Sequence, residues 1–110
     1  MIRKELVKGL MRSVVLKILT QHERMYGYEL TQKIDELSKG NIKLTFGSLY
    51  PILHRLEDDG LVKTEAELVN NRNRIYYYLT KKGQKEAAEG ISELDAFVVI
   101  IKNIVDYKNE

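Results

Sequence analysis

"GSLYPILHRLEDDGLV", residues 47–62, sets Leu49, Ile52, Leu53 and Leu56 at the three- and four-residue spacing of one helix face. Gly60 then supplies a left-handed stop before the extended "LVKTE". His54 and Arg55 fall between the apolar positions and point outward. The stretch is therefore a helix with an apolar inner face and a polar outer one. Thr45 and Ser48 both qualify as its cap. A start at Ser48 puts Pro51 in the first turn, where a missing donor is cheap, whereas a start at Thr45 leaves it deeper and kinks the helix. The later start, or a short irregular first turn, is preferred.

Toward the N-terminus, Leu6, Val7, Leu10, Met11, Val14, Val15, Ile18 and Leu19 form one stripe, which predicts a first helix over about residues 4–21. The polar "HERMYG" breaks it. Leu30, Ile34 and Leu37 share the face of a second helix over about 27–39, stopped by Gly40, and Lys43 and Thr45 occupy the turn that follows. Toward the C-terminus, two β-rich segments, "LVKTEAEL" with Val69 and "IYYYLT", flank the loop "NNRNR". Asn tolerates positive φ, so this loop reads as a hairpin tip. Tyr76 and Tyr78 would share one strand face and Tyr77 the other.

Thr80 caps a last helix in which Ala87, Ile91, Leu94, Val98, Ile101 and Val105 keep an a/d spacing, widened by Phe97, Ile100 and Ile104. A stripe this apolar needs a surface to cover. Residues 86–106 are expected to pair with a second copy of the chain.

Composition narrows the function. The chain has 110 residues, one domain's worth, and no cysteine, which excludes disulfides and thiolate metal sites and fits a reducing cytoplasm. No signal peptide or membrane span is evident. With only His22 and His54 present, no metal site or cofactor is expected. Residues 1–85 carry 16 basic against 10 acidic side chains (+6), and residues 86–110 carry 2 against 6 (−4), which recovers the net +2. A basic body with an acidic tail suits a polyanionic partner at one end only.

Three helices followed by a hairpin with a basic tip is the order of a winged helix-turn-helix, whose third helix enters the DNA major groove while the wing approaches the backbone or minor groove. The fold class is α+β, mainly α: a winged domain over residues 1–82 and a long C-terminal dimerisation helix over 83–110. "YGYEL" (26–30), "GSLYPILHRLEDDGLV" (47–62), "RNRIYYYLT" (72–80) and "KKG" (81–83) resemble the PadR family of transcriptional regulators. The likeness is to its short subgroup, in which one C-terminal helix follows the winged domain. It departs from the family's wing in carrying Asn71 where Gly usually precedes the first Arg.

The residues expected at DNA are Ser48 and Tyr50 at the front of the third helix, His54 and Arg55 on its outer face, Arg72 and Arg74 on the wing, Tyr28, and Lys43. A capping Ser, a Tyr hydroxyl and free helix amides suit phosphate, and Arg55 can donate two bonds to guanine. Simpler roles compete: an ion pair of Arg55 with Asp58 or Asp59, helix-start packing for Tyr26 and Tyr28, and plain solvation of His54. The acidic run Glu57–Asp59 lacks any nucleophile or electrophile beside it, so no enzyme is expected. The resemblance implies a homodimeric repressor on a near-palindromic operator, with Ala87, Ile91, Leu94, Phe97, Val98, Ile101 and Val105 at the dimer interface. It also implies release by a hydrophobic or aromatic small molecule, for which Phe97, Val98 and Ile101 would line a pocket or simply fill it. The alternative is a winged-helix module that binds protein and no DNA.

Overall fold

A computed structural model of the chain describes residues 9–109, in which four helices pack with a three-stranded antiparallel sheet. Helix α1 (Met11–Leu19) buries Met11, Val15, Leu16, Ile18 and Leu19. It follows a turn at Gly9 and Leu10, which interrupts the helix expected over about residues 4–21. Positions 4–8 of that stripe lie outside the described residues.

"HERMYG" does more than break the helix. Met25–Tyr26 form strand β1, paired with the strand that contains Tyr76 and Tyr77. Helix α2 (Gly27–Leu37) starts directly from it, with the Glu29 carboxylate accepting the Tyr26 N–H at 3.1 Å. Leu30, Thr31 and Ile34 are buried, but Leu37, expected beside them, is exposed because nothing among the described residues covers the helix's last turn. Lys39 and Gly40 both take positive φ, and their N–H groups close back on the carbonyls of Glu36 and Asp35 at 3.1 and 2.8 Å.

Helix α3 (Phe46–Asp58) corrects the preferred start. Thr45 is the cap, its Oγ1 accepting the Ser48 N–H at 3.2 Å, so Ser48 lies inside the first turn and Pro51 sits deeper. Pro51 leaves the Gly47 carbonyl without its helical donor. The early start has a tertiary reason. It holds Phe46 within the helix, where its ring lies so close to Gly27 that a Cβ there would collide with it. The other end closes with the Gly60 and Leu61 N–H groups on the Glu57 and Leu56 carbonyls, both 2.9 Å, with Gly60 at φ 76° and Leu56 and Leu61 buried together.

Strands β2 (Val62–Val69) and β3 (Arg72–Leu79) pair from Val62↔Leu79 to Val69↔Arg72, and the sheet order is β1-β3-β2. Asn70 and Asn71, with φ of 50° and 65°, make a two-residue turn. The tip is thus shorter than "NNRNR", and Arg72, Asn73 and Arg74 belong to β3. Tyr77 is buried, and Tyr76 and Tyr78 are half-buried on the opposite face.

Helix α4 (Lys81–Val105) is capped by Thr80, whose Oγ1 accepts the Gly83 N–H at 3.0 Å and donates to the Gly60 carbonyl at 2.7 Å. This ties the helix start to the end of α3. Gly83 and Ala87 are buried, and α4 runs on along α1 until Phe97, Val98, Ile101 and Val105 project exposed. The molecule measures 65 × 30 × 21 Å. A helix of 25 residues accounts for roughly 37 Å of the longest dimension.

Candidate nucleic-acid interface

The buried stripe of α3 leaves a continuous outer face. Phe46, Tyr50 and His54, spaced four apart, form an exposed aromatic ladder with ring centroids 5.7 Å and then 6.0 Å apart, the second pair stacked within 10°. His54 Nε2 lies 3.6 Å from Asp58 Oδ2. Arg55 is exposed and makes no ion pair among the described residues. Its expected competitors are otherwise engaged, since Asp59 binds Arg12 at 2.8 Å and Asp58 faces His54. Ser48 is exposed, its Oγ accepting from Thr45 Oγ1 at 3.2 Å.

Two other expected residues flank this face. Tyr28 stands exposed on the first turn of α2. Lys43 is exposed but has its Nζ 2.9 Å from Asp35 Oδ2, so part of its charge is answered within the chain.

The two wing arginines are separated. Arg72, beside the turn, is exposed. Arg74 is half-buried with its guanidinium 4.0 Å above the Tyr26 ring, and a side-chain hydrogen bond with Tyr76 pushes its pKa up. Below it the Tyr26 and Tyr76 rings meet edge to face at 5.5 Å, and Arg24 lies 3.8 Å over Tyr76. Arg24 also binds Glu65 at 2.8 Å and Glu67, and hydrogen bonds to these two carboxylates raise its pKa. Arg74 is therefore built into a layered cluster of cation–π and edge-to-face contacts that fastens β1 to the wing.

Sequence reading missed Phe46 and Arg24. The spacing of Phe46 from Tyr50 was a usable signal. Nothing local marked Arg24, whose carboxylate partners are 41 and 43 residues away.

The C-terminal helix carries one further correction. Ala87, expected at a subunit interface, is 1% exposed and belongs to the protomer's own core. Ile91 and Leu94 are half-buried, and the exposed apolar surface begins at Phe97. Leu10, Leu94, Phe97, Val98, Ile101 and Val105 line an open apolar groove there. No helix among the described residues is long and apolar enough to cross a membrane.

Three helices with a capped, outward-armed α3 and a hairpin beside it define a winged helix-turn-helix, a DNA-binding class. Within that class, the chain belongs to the PadR-like family of transcriptional regulators, whose sequence profile matches residues 15–89. It is 36% identical to the transcriptional regulator Rv3488 of Mycobacterium tuberculosis over 86 residues, covering 78% of this chain and 77% of the relative. The smu.1704 structure from Streptococcus mutans is 30% identical with a TM-score of 0.75, covering 92% of each chain. A transcriptional regulator from Clostridium thermocellum shares the fold at TM-score 0.84 and 24% identity, over 96% of this chain and all of the other.

Proposed function

We propose that this regulator represses transcription as a homodimer on a near-palindromic operator. Each α3 enters a major groove, the two half-sites lying one helical turn, about 34 Å, apart. Ser48 and Tyr50 hold phosphate at the front of the helix, Arg55 and His54 meet base edges, and Arg72 meets the backbone from the wing. Tyr28 and Lys43 add backbone contacts at the flanks. The observation that carries this reading is Arg55, an exposed guanidinium in the middle of α3 with no ion pair among the described residues.

The second subunit covers the exposed end of α4. Phe97, Val98, Ile101, Ile104 and Val105 all stand in solvent in one protomer, and each aliphatic side chain removed from water is worth about 1.5–3 kcal/mol. A hydrophobic or aromatic effector would enter the same groove and release the operator by changing how the subunits meet.

A gel-shift titration over several salt concentrations, with DNA from upstream of the chain's own gene, tests the proposal. Affinity falls as salt rises, and Arg55→Ala costs about 1–3 kcal/mol on the operator and less on random DNA. Equal losses on both DNAs would restrict Arg55 to phosphate. No binding at any salt would favour a protein-binding winged helix instead.

A further inference from the structure

The exposed side chains over the first turns of α3 differ in one chemical respect. Ser48 and Tyr50 carry hydroxyls, and His54 and Arg55 further along carry ring and guanidinium nitrogens, all able to meet phosphate or a polar base edge. Phe46, the first helical residue, has no such group and is nevertheless 48% exposed. The core does not claim it, since Leu49, Leu53 and Leu56 already seal the inner face of the helix. Nor is it a loose surface residue. Its ring atoms Cδ1, Cε1 and Cζ lie over Gly27 at the start of α2, so close that a Cβ there would collide with them. Tyr50 tilts against the ring from the next turn, the centroids 5.7 Å apart and the planes at 58°. Phe46 is thus a half-exposed ring held in place at the front of the outer face, and little side-chain freedom remains to be lost when something covers it.

Taking the DNA-binding reading above as its basis, we infer that Phe46 is a specificity-determining residue that packs on the C5 methyl group of a thymine, one in each half-site of the operator. A helix of this class enters the major groove with its N-terminal residues at the base edges. Along that groove every base pair shows hydrogen-bonding groups, and the thymine methyl is the apolar feature. A ring without donors or acceptors gains by covering that methyl. Set against any other base it strips water from polar edges and returns no hydrogen bond. Phe46 therefore selects by apolar contact and desolvation, beside the hydrogen bonds assigned to Arg55 and His54.

Deoxyuridine in place of thymidine removes that methyl and leaves the pairing and the polar groups of the groove unchanged. The probe is the duplex that the full-length wild-type chain recovers from a random-sequence pool, with its thymidines replaced one at a time. Wild type should lose about fourfold in affinity at one thymine of each half-site, the cost of returning one apolar carbon to water. Phe46→Ala should bind the parent duplex more weakly and show no loss at that thymine, while the losses at other thymines stay as in wild type. Thermal melts establish that the variant is folded. Should it not fold, 5-iododeoxyuridine at the same position, irradiated in complex with the wild-type chain, should crosslink to Phe46. The absence of any thymine at which wild type loses affinity, an equal loss in Phe46→Ala, or irradiation that yields no crosslink at Phe46 each overturns this inference and leaves DNA binding by α3 standing. A wild-type chain that recovers no duplex brings down both readings.

Discussion

The two ends of α4 carry the same apolar spacing and meet opposite fates. At its start, Gly83 lies against the Leu61 carbonyl with no room for a Cβ, and Ala87 is almost wholly buried among α1 and the sheet. At its end, Val98, Ile101 and Val105 continue the same seam into solvent. A heptad pattern reports that a side chain must be covered, but not by which molecule. The protomer's own winged domain covers the first turns and leaves the remainder of the seam in solvent.

The largest effect that separates the two ends is expected from one substitution made at each. Ala87→Asp places a charge in a closed core with no partner and should cost at least about 3 kcal/mol, lowering the denaturation midpoint equally at all protein concentrations. Ile101→Asp, at a position 40% exposed in the protomer, should leave the winged domain folded. It should instead convert dimer to monomer in light scattering and weaken operator binding by about tenfold or more. If Ile101→Asp also unfolds the chain independently of concentration, the two ends belong to one core and the contrast disappears.

A smaller change sharpens the description of the start. Gly83→Ala adds one methyl group, but the obstacle is the backbone carbonyl of Leu61 rather than a flexible side chain. The chain must shift, and a loss of about 1–3 kcal/mol is expected in denaturant titration, with the dimer dissociation constant unchanged. Full stability in this variant would mean that the helix start can slide relative to α3, and that its packing is looser than its burial suggests.

The same contrast explains what the sequence could and could not reveal. Helices α2 and α3, the hairpin and the long last helix were legible because each has local signals: three- and four-residue spacing, Gly60 as a stop, two Asn at a turn. Strand β1 was not, because two residues have no period and their partners, Tyr76 and Tyr77, lie some fifty positions on. The cap of α3 was misplaced because Thr45 and Ser48 are chemically alike and Pro51 favoured the later start. What decides between them is the contact of Phe46 with Gly27, which is tertiary. Arg72 and Arg74 looked equivalent as letters and share one strand face, yet the ring of Tyr26 makes Arg74 a fastening while Arg72 stands exposed beside the turn. Ala87 was assigned to the wrong surface for the reason the two ends of α4 illustrate.

The smallest expected effect concerns whether ion pairs share in holding the start of α4. Arg12 on α1 reaches Asp59 at the end of α3 at 2.8 Å and Glu86 on α4 at 4.0 Å, so it spans three helices where they converge. Its side chain is 37% exposed and both carboxylates 46%, which leaves the pairs screened by water and salt. Exposed pairs of this kind are worth about 0–1 kcal/mol, less than closing a void or relieving a backbone clash at Gly83. Arg12→Ala should therefore cost under about 1 kcal/mol at low salt, and the difference from wild type should shrink in high salt. If apolar packing alone seats the helix, dimerisation and DNA affinity stay at wild-type values. A loss above about 2 kcal/mol that persists in high salt would show that Arg12 is part of the seat itself, through its aliphatic stem as well as its charge. The boundary between the covered and uncovered ends of α4 would then be set partly by α1.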